Sequence, residues 1–171
     1  KVPKGSAYYC WTHGPRVRFF TETGELGDGF ERYVKGVEEA QHDPRKVHLA
    51  MVEYYVAVAH ARAHQCFRST APDQERLDKL KRAARDLRLA ARVPLATAHA
   101  VAIDACVQLF QGNLRKAERL FDEAELRRAV NDFRGRERRF GGVLEEATRD
   151  RLVRGIEPQR LHRTLLRVDV A

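Results

Sequence analysis

Lys81, Arg85, Arg88 and Arg92 are spaced four, three and four residues apart, which on a helix sets four cations along one face. Like charges at that spacing repel by a few tenths of a kcal/mol per pair. Phosphates would relieve that repulsion, and each one neutralised would steepen the salt dependence of binding. Arg134, Arg136, Arg138 and Arg139 form a second cluster, and Arg160, Arg163 and Arg167 a third. A different chemistry is suggested by Cys10 and His13, whose Cys-x-x-His spacing lets both side chains reach one zinc ion. His60 and His64 lie one helical turn apart, with Glu53 on nearly the same face two turns earlier. If the N-terminal segment packs on that helix, Cys10, His13, His60 and His64 could converge on a structural zinc, although no second Cys-x-x-Cys or Cys-x-x-His pair accompanies them.

The elements that would carry these residues are mostly helical. Residues 7–22 are the exception. Aromatic and β-branched residues flank the breaker Gly14-Pro15, which predicts strand, turn and strand. In that hairpin Arg16, Arg18 and Phe20 share one face, able to track a nucleic-acid strand and stack a base. A helical body over 29–167 follows. Asp28 is expected to cap a helix over 29–41, and Pro44 to open another over 45–68. From Leu49 to Ala59 that second helix is apolar nearly all round, interrupted by Glu53, which marks a buried element. An amphipathic helix over 74–91 and a second apolar helix over 94–110 come next, the latter with Asp104 as its single charge. Asn113 is expected to cap a helix over 114–133. Gly135, Gly141 and Gly142 then predict shorter pieces over 136–140, 143–154 and 158–167.

The stretch Gly112-Asn113-Leu114-Arg115-Lys116-Ala117-Glu118-Arg119-Leu120-Phe121-Asp122-Glu123-Ala124 resembles the second half of a tetratricopeptide repeat. The resemblance covers residues 98–127 and rests on Gly112, Ala117, Phe121 and Ala124, with Ala105 as the small residue of the first helix. Ala83, Leu87 and Ala90 repeat the pattern 34 residues upstream. It implies paired helices in close contact, the aromatic filling the next layer. The pattern stops at Ala71, in an Ala-Pro-Asp break, and at Arg151, and no terminal proline follows Ala124. Two shorter motifs resemble helical enzymes. His42-Asp43 is similar to the dipeptide of all-α metal-dependent phosphohydrolases, a resemblance that would need His13 and Asp104 to complete the set. Arg92 and His99 have the spacing of the Arg-x4–6-His motif of helical toxin ribonucleases. Pro44 pushes Asp43 out of the helical region, and Pro94 interrupts the second motif.

Composition narrows the remaining classes. The chain has 171 residues, 43% hydrophobic and 33% charged, with a net charge of +8. That suits one globular domain over 1–171 with a proper core. No apolar run is long enough for a transmembrane helix, and the opening Lys1-Val2-Pro3-Lys4-Gly5 does not lead into a secretory signal. Cys10, Cys66 and Cys106 are too few and scattered for a disulfide framework, which points to a reducing, cytoplasmic setting. The charge is uneven: residues 76–92 carry +5, whereas residues 22–53 carry −4. The expected fold is an all-α, single-domain helical bundle or short α-solenoid with a small N-terminal β-hairpin. The expected function is a non-enzymatic binder of nucleic-acid phosphates through Arg16, Arg18 and the basic helical clusters. The alternatives are a protein-binding scaffold or homo-oligomeric module contacting an acidic surface and, more remotely, a small helical nuclease or phosphohydrolase. No cofactor is expected beyond a structural zinc.

Overall fold

The computed structural model describes residues 11–40, 43–69 and 73–140, with side chains to residue 132. The chain divides into two compact units, Lys1–Arg127 and Arg128–Ala171. Every described regular element is helical: α1 His13–Glu22, α2 Asp28–Glu38, α3 Leu49–Phe67, α4 Gln74–Ala90, α5 Pro94–Phe110 and α6 Leu114–Phe140.

The predicted N-terminal β-hairpin is corrected by α1. Residues 7–10 lie outside the described residues, and 13–22 are helical rather than extended. Pro15 is tolerated because it falls in the first turn, where a backbone N–H has no helical partner to lose. The alternation of Arg16, Val17, Arg18 and Phe19 concealed a second spacing. His13, Val17 and Phe20 recur at four and three residues, and His13 and Val17 are buried with Phe20 packed partly against the core. Tertiary burial of that stripe outweighs local β-propensity.

Both α2 and α3 begin elsewhere than predicted. Gly27, not Asp28, is the N-cap of α2, and Asp28 sits in its first turn, where a carboxylate complements the helix dipole. Pro44 opens a turn rather than a helix. Lys46 N donates to the Asp43 carbonyl at 2.9 Å, and Arg45 N donates to Asp43 Oδ1 at 3.0 Å. Aspartate followed by proline suits the first two positions of such a turn. The helix itself starts at Leu49, where the His48 ring accepts from Ala50 N.

Helices α4 and α5 match the predicted spans closely. Asp73 caps α4 by accepting from Arg76 N at 2.8 Å, and Pro94 occupies the first turn of α5 after an extended Val93. Between α5 and α6, Gly112 adopts φ +79°, a left-handed conformation that glycine takes without penalty. Asn113 accepts through its backbone carbonyl from Lys116 and Ala117, while its side-chain amide donates back to Gln108. Helix α6 runs through Gly135 to Phe140, because one glycine costs about 1 kcal/mol and does not by itself end a helix. The predicted helices over 143–154 and 158–167 lie outside the described residues.

The bundle is organised around α3, which packs against α1, α4 and α5, while α4 also packs against α5. Phe30, Met51, Leu80, Leu87 and Ile103 are fully buried, each contributing about 1.5–3 kcal/mol of transfer free energy. Small residues carry the close approaches. Ala59, Ala61, Ala98 and Ala105 are buried on the two central helices, as are Ala117 and Ala124 on α6. No described helix is long and apolar enough to cross a membrane.

Candidate functional site

The amphipathic pattern of α4 buries Leu80, Ala84 and Leu87 and turns its cations outward. Lys81 lies 3.2 Å from Asp78, Arg85 lies 3.3 Å from Asp86, and Arg88 reaches Asp104 of α5 at 3.3 Å. These pairs are partly solvated, with the side chains of Lys81, Arg85 and Arg88 37%, 64% and 55% exposed. Each pair therefore contributes little to stability and leaves its cation able to meet a second anion. Arg92 is exposed just beyond the helix.

Asp104 ties this face to a third helix. Burial raises its pKa, while the charges of Arg88 and Lys116 act in the opposite direction. Arg88 of α4 and Lys116 of α6 thus both lie within electrostatic reach of one half-buried carboxylate. The exposed side chains of Arg115 and Arg119 stand one residue before and three after Lys116. Sequence reading grouped these cations by position in the chain. The structure links Arg88 of the α4 stripe to Asp104 of α5, a carboxylate on which the charge of Lys116 also acts. The side chains of Arg134, Arg136, Arg138 and Arg139, and all of Arg160, Arg163 and Arg167, lie outside what is described.

The two N-terminal arginines occupy different settings from the predicted hairpin face. Arg16 stacks over the Tyr33 ring at 5.0 Å, and Arg18 pairs with Glu53 of α3 at 3.2 Å. The Glu53 side chain also packs on Gly14, where a Cβ would come within 2.7 Å of its Cγ. That contact explains why α1 can approach α3 closely, and it takes Glu53 into a structural role.

The metal candidates separate. Cys10 lies outside the described residues. His13 is buried against Tyr33, with which its Nδ1 shares a hydrogen bond, and its ring meets Tyr54 edge-on. His60 faces α5 instead, its Nε2 3.0 Å from Nδ1 of His99. Among the described residues no group of three or more His, Cys, Asp or Glu side chains is placed to hold a metal ion. The enzyme-like motifs fare similarly. His42 lies outside the described residues, Asp43 serves its turn, Asp104 pairs with Arg88, and His99 is engaged by His60.

A polar network absent from the sequence reading lies between α2, α3 and the start of α4. Arg62, only 7% exposed, donates to Glu31 and to Gln65 Oε1, and its guanidinium lies 4.8 Å from the centre of the Phe30 ring. Gln65 Nε2 donates to Glu31 and to the Leu26 carbonyl, and Lys79 approaches Glu31 at 3.6 Å. Burial opposes ionisation of Glu31, but these hydrogen bonds and the charges of Arg62 and Lys79 win, and its carboxyl titrates below the ordinary range. The available signal was Arg62 itself, a lone arginine among alanines in a central helix.

No family model, curated protein or solved structure matches this chain. Among the described residues the fold is an all-helical bundle with exposed cations along α4.

Proposed function

We propose that this chain is a non-enzymatic binding protein that docks on nucleic-acid backbone phosphates through the face where α4 meets the start of α6. The reading rests on one observation: Arg88 reaches Asp104 of α5 at 3.3 Å, beside the exposed Arg85, and the charge of Lys116 at the start of α6 acts on the same carboxylate. Cations held on rigid helices lose little conformational freedom on meeting phosphates, and a single exposed carboxylate-paired face can exchange partners cheaply. Such contacts position a backbone without reading sequence.

Filter binding with a single-stranded RNA and a duplex DNA of arbitrary sequence, over about 50–200 mM salt, tests it. Affinity should fall steeply with salt. Replacing Arg85 and Arg88 together by Glu should weaken all sequences alike and reduce the magnitude of the salt slope by about two. Binding insensitive to salt, or unchanged in the double variant, would overturn the proposal.

A second reading, an assembly module, is favoured by the exposed apolar pair Leu126 and Val130, one turn apart on α6. Sedimentation velocity over a hundredfold concentration range separates the two. Reversible self-association lost in Leu126→Ser/Val130→Ser supports assembly, whereas a monomer at all concentrations removes it.

A further inference from the structure

A cavity of about 570 Å³ opens between α2, α3 and α4, on residues the basic-face reading does not use. Its volume lies within the range of small-molecule sites, roughly 300–1,000 Å³. Val34, Val37, Val58 and Ala83 give it apolar walls, and Tyr54 and Tyr55 stand on the α3 side. The Tyr54 residue is 3% exposed, and its hydroxyl is buried with no hydrogen-bond partner among the described residues. An orphaned buried hydroxyl is costly to keep. Glu38, which also lines the cavity, is the charged group that most resists Tyr54 ionisation after burial itself. Burial and the Glu38 charge keep that hydroxyl protonated.

The charges around the cavity are not balanced by their own pairs. Glu31 is held by Arg62 and Lys79, Asp86 lies against Arg85, and Lys35 approaches Glu39. Arg32 and Arg82 also line the cavity, from α2 and α4, and both are exposed. Neither forms an ion pair with a described residue. Apolar wall patches and two cations contributed by different helices make a recognisable set of requirements.

We infer that this cavity binds a small organic anion: a flat apolar body against the valine-lined walls, with a carboxylate, sulfonate or phosphate group held by Arg32 and Arg82. Arg82 neighbours Arg85 on α4, but Arg32 lies on α2 away from the phosphate-docking residues, so the Arg32 contribution separates the two readings.

The test titrates the intact chain with 1-anilinonaphthalene-8-sulfonate, followed by fluorescence, and with its uncharged parent N-phenyl-1-naphthylamine. One saturable site per chain is expected, and the uncharged parent should bind about tenfold more weakly, as befits loss of a charge-assisted contact. Arg32→Glu/Arg82→Glu alters only exposed positions and should weaken the sulfonate by about tenfold or more without weakening the uncharged probe. Val58→Trp, accepted only if its circular dichroism matches the parent, should abolish binding by filling the chamber. Equal affinity for the two probes, or sulfonate binding untouched by the arginine pair, overturns the inference. So does binding lost in Phe67→Ser, which lies on another part of α3, and retained in the arginine variant.

Discussion

Replacing Arg62 by Met removes the guanidinium from the α2–α3 network while keeping most of the apolar stem. Breaking a fully buried pair by deleting one partner costs about 3–5 kcal/mol. A fully exposed pair is worth about 0–1 kcal/mol. Arg62 is 7% exposed but Glu31 is 33% exposed, and Glu31 keeps Gln65 and Lys79 as partners. Loss of the stacking on Phe30 adds about 0.5–1 kcal/mol. The expected destabilisation at neutral pH is therefore about 2–3 kcal/mol, between the two limits. Urea unfolding of the parent, Arg62→Met, Glu31→Gln and the double variant measures it, and the cycle isolates the pair. The pH dependence has a defined sign. Glu31 titrates below its ordinary value of 4.5 in the folded chain, so the stability it contributes is present above that value. It is lost as pH falls through the lower folded value, and the cost of Arg62→Met should shrink over the same interval. An Arg62→Met variant within about 0.5 kcal/mol of the parent at neutral pH would refute the reasoning, since that is the range of an ordinary surface change.

Gly14→Ala places a Cβ 2.7 Å from Glu53 Cγ and should destabilise by about 1–2 kcal/mol, with the loss recovered in Gly14→Ala/Glu53→Ala by thermal unfolding. Burial raises the Asp104 carboxyl pKa, so its charge opposes folding once pH passes above the unfolded value. Asp104→Asn should therefore stabilise at neutral pH, have no such effect at about pH 3, and tighten polyanion binding by removing a negative charge between Arg88 and Lys116. A variant that binds RNA more weakly than the parent would count against the basic-face reading. Burial pushes the Cys106 thiol up to about 12 and the Cys66 thiol upward. In a Cys10→Ser background, dithionitrobenzoate at about pH 8 should label neither until urea unfolds the chain. Rapid labelling of the native protein would contradict their burial.

Where a segment's own periodicity agreed with its burial, the sequence was sufficient. Ten buried residues lie on α3 and seven on α5, and both helices are identifiable from nearly continuous apolar runs between polar or proline boundaries. The α4 stripe was equally legible, because side chains four and three residues apart must share a helix face. Residues 13–22 were not. Their alternation and their helical spacing are both present in the chain, and only packing on α3 and Tyr33 selects the helix. The Pro44 boundary failed for a related reason, since the same residue type opens turns and helices alike.

The amino-acid sequence by itself thus determined a basic, helix-rich chain with two apolar central helices, because those properties follow from local composition and period. Tertiary structure alone decided which charges meet. Arg62 reaches Glu31 across 31 positions, His60 reaches His99 across 39, and Arg88 reaches Asp104 across 16. Those encounters set His60, one of the expected zinc ligands, against His99 and tie Arg88 of the basic stripe to Asp104 of α5. They also leave the Tyr54 hydroxyl buried with no partner among the described residues. No pairwise spacing encodes such contacts, because they depend on how whole helices pack.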